Sequence, residues 1–110
     1  MPPLRVEVLN HDFSNWIEFV RLNPSDPPGS ISQNLPDGKR EVYLYKCEND
    51  DESVIYRSTL GLDVTNSGTR FLSSEKVEEV VRLRDGRYHV LTVKTDVSNK
   101  RRIIRFTHQK

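Results

Sequence analysis

Apolar and polar residues alternate along most of this chain. In "LRVEVLN", Leu4, Val6 and Val8 fall on one side, and Arg5, Glu7 and Leu9 on the other. A period of two marks a strand with one face turned inward. "REVYLYKC" alternates Val42, Leu44 and Lys46 with Tyr43, Tyr45 and Cys47. Both of its faces are largely apolar, which suits a central strand. "ESVIYRSTLGL" follows the acidic turn "ENDDE" and reads as its hairpin partner.

The clearest local signal is "VEEVVRLRDGRYHVLTVKT". Asp85-Gly86 predicts a two-residue type I′ turn, whose central residues both take positive φ. That turn pairs Leu83 with Tyr88, Val81 with Val90 and Val80 with Leu91. A helix over 74–83 competes, with Ser74 as its cap and Val77, Val80 and Val81 at helical spacing. The self-consistent register and the valines favour the strand. "DVSNK" then turns the chain, and "RRIIRFTH" returns as the third strand of a meander. "DFSNWIEFVRLNP" reads either as a helix capped by Asp12 or as a strand, and its β-rich composition favours the strand. Residues 23–39 hold four of the six prolines and read as a long loop with an extended piece around Ile31. The expected fold is mainly β: an antiparallel β-sandwich or small partly open barrel of six to seven strands, with room for one short helix.

Length fits one domain over 1–110. Hydrophobic content is only 35% and mean hydropathy is −0.67. The apolar residues nevertheless come in tight β-branched and aromatic groups, which disordered chains lack. A single cysteine, Cys47, excludes an internal disulfide. No apolar leader opens the sequence, and no apolar run is long enough to span a bilayer as a helix. The expected compartment is intracellular, cytoplasmic or nuclear. No membrane partner is expected, and the sequence leaves the oligomeric state open.

The net charge of +1 hides an asymmetry. Residues 84–110 carry eight Lys/Arg against two Asp, and residues 1–83 carry nine basic against fourteen acidic side chains. A basic end of this kind points to an anionic partner. Its candidate residues are Arg87, Lys94, Lys100, Arg101, Arg102 and Arg105. Nucleic acid is then the alternative partner, and binding would be strongly salt-dependent. The competing reading is edge protection, in which charges on a terminal strand discourage pairing with other chains.

Catalytic chemistry has little support. His11, His89 and His108 lie at no metal-ligand spacing, and no Gly-rich phosphate motif occurs. Neither a cofactor nor a metal is expected. Cys47 on an apolar strand reads as packing. "ENDDE" reads as a solvated hairpin tip rather than a cation loop. An enzyme would need a pocket that brings His89 or His11 to a carboxylate. The function that fits best is a non-catalytic protein-interaction module. It would work through a sheet face, an edge strand or the 23–39 loop. Its candidate residues are Tyr43, Tyr45, Tyr56 and Trp16, because tyrosine and tryptophan are enriched at interface hot spots. If Val42 and Leu44 face the core, Tyr43 and Tyr45 form an exposed stripe.

Overall fold

A computed structural model describes residues 2–36, 38–60, 62–65, 68–71, 77–94 and 101–109, with backbone alone for 62–65 and 68–71. The strands are β1 (Leu4–Leu9), β2 (Trp16–Leu22), β3 (Gly29–Asn34), β4 (Arg40–Asn49), β5 (Glu52–Leu60), β6 (Leu62–Thr65), β7 (Gly68–Phe71), β8 (Glu79–Arg84), β9 (Tyr88–Lys94) and β10 (Arg101–His108). Sheet I has the order β2-β1-β10-β9, sheet II the order β3-β4-β5-β8, and β6 pairs with β7. All pairings are antiparallel. The two four-stranded sheets form a β-sandwich.

The ten strands among the described residues exceed the six or seven expected, partly because the proline-rich stretch contains one. Pro27, Pro28 and Pro36 flank β3 rather than interrupt it. Its amides stay free to pair with β4, and Ile31 sits opposite Tyr43. Segment 16–22 is a strand, as its composition favours. Of segment 74–83, residues 79–83 belong to β8, and 74–76 lie outside the described residues. No described residue is helical.

The Asp85-Gly86 turn forms as expected. Its φ values are 31° and 79°, and the Arg87 amide donates to the Arg84 carbonyl at 2.8 Å. The expected pairing across it does not form. β8 pairs with β5, and β9 pairs with β10 in the other sheet. The end of β10 occupies the place between them. The Gly86 amide donates to the His108 carbonyl at 2.6 Å, and the His108 amide donates to the Arg87 carbonyl at 3.1 Å. Each strand also gains a better face: Val81 meets Ile55, and Leu91 meets Ile104. At its far end β9 reaches β3, where the Lys94 amide donates to the Gln33 side-chain oxygen at 3.1 Å.

Two further expectations are corrected. β10 lies between β1 and β9, so its arginines guard no sheet edge. The faces of β4 are also reversed. Tyr45 and Cys47 are buried and Tyr43 is half-buried, whereas Leu44 is exposed. β4 is apolar on both sides, so its partners decide. Tyr45 lies beside Ile55 and packs on Phe106 of sheet I, with ring centroids 5.2 Å apart. Leu4, Val6, Ile55, Leu83 and Ile104 complete that core.

Tyr45 needs room on β3. A Cβ on Gly29 would fall 2.5 Å from the Tyr45 ring. Gly29→Ala should therefore destabilise the fold by about 1–3 kcal/mol through overpacking. Chemical denaturation checks this, and an unchanged midpoint would mean that the ring moves aside freely.

Candidate binding surfaces

The four aromatic candidates do not gather. Tyr43 and Tyr45 face inward. The Tyr43 hydroxyl donates to the Glu41 carboxylate, and desolvation followed by that bond pushes its pKa well above the usual tyrosine value. Burial also raises the pKa of Tyr45. Tyr56 and Trp16 are half-buried on the outer faces of different sheets. Each is covered by a cation. The Lys46 ammonium stands 5.9 Å above the Tyr56 ring, and the Arg105 guanidinium 4.2 Å above Trp16.

The basic candidates are scattered as well. Arg105 is bound twice, since it also donates to Glu7 at 3.0 Å. Lys94 and Arg101 are opposite one another at one end of sheet I, with Arg102 next along the strand. Arg87 lies just before β9, seven residues from Lys94 and roughly 23 Å away. Lys100 lies outside the described residues. Three of the six positions thus form one small cationic corner.

A buried polar cluster joins the sheets. His108 and Ser53 have no exposed surface, and Cys47 is 3% exposed. His108 Nε2 lies 2.9 Å from the Asp50 carbonyl, which can only accept. Nε2 therefore carries the proton, and Nδ1 accepts from the Ser53 hydroxyl at 2.8 Å. The Cys47 thiol donates to the Asn49 carbonyl at 3.2 Å. Burial pushes its pKa up, which opposes the thiolate that nucleophilic chemistry needs. These side chains have the types of a catalytic cluster, but they are sealed inside the sandwich.

His89 fulfils the condition set for an enzyme. It shares a cleft of about 270 Å³ with Glu41, Tyr43, Arg57 and Glu79. The acids there are already occupied. Arg57 lies 2.9 Å from Glu78, 2.9 Å from Glu79 and 3.6 Å from Glu41. Among the described residues, the cleft is lined by no serine, threonine or cysteine. His11 is exposed in the β1–β2 turn.

The acidic tip is not uniformly solvated. Glu52 is buried and takes Arg82 at 2.7 Å and Arg84 at 2.9 Å. Hydrogen bonds from Arg84 and then Arg82 lower its pKa. No His/Cys/Asp/Glu cluster able to hold a metal occurs among the described residues.

Sequence reasoning missed the β1–β2 corner. Asn10 Oδ1 accepts from the amides of Ser14 at 2.9 Å and Asn15 at 3.2 Å, and Asp12 Oδ1 from the Ser14 hydroxyl at 2.6 Å. The bonds from the Ser14 hydroxyl and amide to Asp12 lower the Asp12 pKa. Within this tied turn Phe13 has φ of 60° and is 70% exposed. Positive φ is a rare state for a bulky residue. In β2 the register steps from Val6–Val20 to Glu7–Glu18, leaving Phe19 as a bulge. Ile17 and Phe19 are each 56% exposed. The available signal was "HDFSN", dense in side chains that bond their own backbone.

The chain matches no protein-family model, and comparison with curated proteins and solved structures yields no match.

Ser53→Ala leaves His108 Nδ1 buried without a donor. It should destabilise the protein by about 1–3 kcal/mol in a denaturant titration. Glu52 supplies a pH test. Its pKa is lowered on folding, so its stabilisation is complete above the ordinary glutamate range, near about 4.3, and is lost as pH falls below it. Glu52→Gln should flatten that acid limb in melts taken across pH, and an unaltered slope would contradict the pairing.

Proposed function

We propose that the protein is a non-catalytic protein-interaction module that takes an extended segment of its partner along β2. The observation that carries this reading is Phe13, held in positive φ by a hydrogen-bonded turn and presented to solvent. Backbone strain of this kind gathers at functional positions. Ile17 and Phe19 continue the apolar surface along β2, which is one edge of sheet I. An edge strand offers unpaired amides and carbonyls to an incoming strand. The Phe19 bulge limits simple self-pairing and leaves an aromatic ring half exposed at the edge. The single free thiol, Cys47, fits an intracellular setting.

A nucleic-acid reading has weaker support, because Arg105 is neutralised by Glu7 and Arg87 is remote from the cationic corner. In the His89 cleft, the carboxylates are tied to Arg57, which supports binding more than catalysis.

Strain separates a binding role from a structural one. Phe13→Gly should raise stability by about 1 kcal/mol, since glycine takes positive φ without penalty. The same substitution, combined with Ile17→Lys, should abolish recovery of a stoichiometric partner by a photocrosslinker placed in the β1–β2 turn. Leu44→Lys on sheet II should retain it. Partner recovery that survives the Phe13/Ile17 change, or no stoichiometric partner at all, would sink this reading. A homodimer lost with Ile17→Lys would identify the partner as a second copy.

A further inference from the structure

A second cleft, of about 240 Å³, opens between the sheets at the end of β1. Val8, Ile31 and Ile104 line it, with Phe19 at its side. Ile104 is buried, and Arg102, two residues away on the same face of β10, is exposed. Arg102 thus brings a cation to the rim of an apolar floor, whereas Lys94, paired with Arg101 and next to the inward Val93, turns its side chain to the outer face of sheet I. Among the described residues no carboxylate lines the cleft and Arg102 makes no ion pair. The rim is braced, because the Lys94 amide is bonded to Gln33 on β3, opposite.

We infer that this cleft binds a small apolar monocarboxylate, its chain on Ile104 and Ile31 and its carboxylate at Arg102. Four features narrow the ligand. The floor is aliphatic, since Val8, Ile31, Val93 and Ile104 line it. A single cation asks for one compact anion, and guanidinium matches the planar carboxylate. An unpaired cationic rim disfavours an amine and gives a neutral alcohol nothing to neutralise. The volume equals that of about eight waters at roughly 30 Å³ each, which suits an acid of about eight carbons and leaves no room for a peptide turn. Pockets of this kind, apolar with a few convergent polar groups, are common where sheets open at the mouth of a barrel or sandwich.

This ligand needs no protein partner, so the test uses the isolated chain. Octanoate, octanol and octylammonium are titrated below micelle formation while the valine and isoleucine methyl resonances are followed. Octanoate should shift Val8, Ile31 and Ile104 and leave Val80 still. Octanol should bind at least about tenfold more weakly, and octylammonium weaker again. Arg102→Gln should cost octanoate a similar factor without changing the melt, since that side chain is exposed, and Lys94→Gln should leave the affinity unchanged. Ile31→Trp, which fills the cleft, should remove the shifts. Silent cleft methyls, or equal affinity for octanoate and octanol, would overturn the inference. Loss of partner binding in Phe13→Gly with octanoate binding intact would show the two sites to be separate.

Discussion

The contact between Tyr45 and Phe106 is the constraint on which the arrangement depends. It joins the middle strands of the two sheets. Once Tyr45 faces inward, the period of two decides the rest of β4: Cys47 goes to the interior, and Leu44 and Lys46 go to water. β10 obeys the same rule. Phe106 draws Ile104 and His108 inside and leaves Arg101 and Arg105 outside. The sealed His108–Ser53 bond is a by-product of this placement, because its two residues end up facing each other across the layers.

Much of this was legible. Alternation located β1, β4, β5, β9 and the inward set of β10, because each pattern is set by local chemistry. The Asp85-Gly86 turn was equally plain, since positive φ at both positions selects its residues. Pairing was not legible. A type I′ turn implies a hairpin only if no other strand competes for its inner backbone groups. Here His108, more than twenty residues further along, takes the Gly86 amide and the Arg87 carbonyl. The inward face of β4 was undecidable for a similar reason, since both faces are apolar and the answer lies in Ile55 and Phe106.

Binding residues were harder to read than the fold. Tyrosine and arginine were singled out by type, yet type says nothing of which neighbours already engage them. Arg105 is held by Glu7 and Trp16, and Tyr43 by Glu41. Phe13 carries no signal by type in a chain with four phenylalanines. Its backbone angle and its exposure set it apart, and both are products of the folded turn. Arg102 was read correctly as entering the inward face near its wetter end, but the apolar floor beneath it needs strands from both sheets.

Sheet II is built from the middle of the chain, and sheet I from its two flanks. Leu4 pairs with His108, so closing sheet I joins residues over a hundred positions apart. During synthesis, sheet II can assemble while β1 and β2 wait as a two-stranded ribbon. A ribbon of that size is barely stable alone, and the Leu4 and Val6 face stays uncovered until β10 leaves the ribosome. That interval, in which the core residues of one half have no cover, is where a nascent-chain chaperone has most to protect.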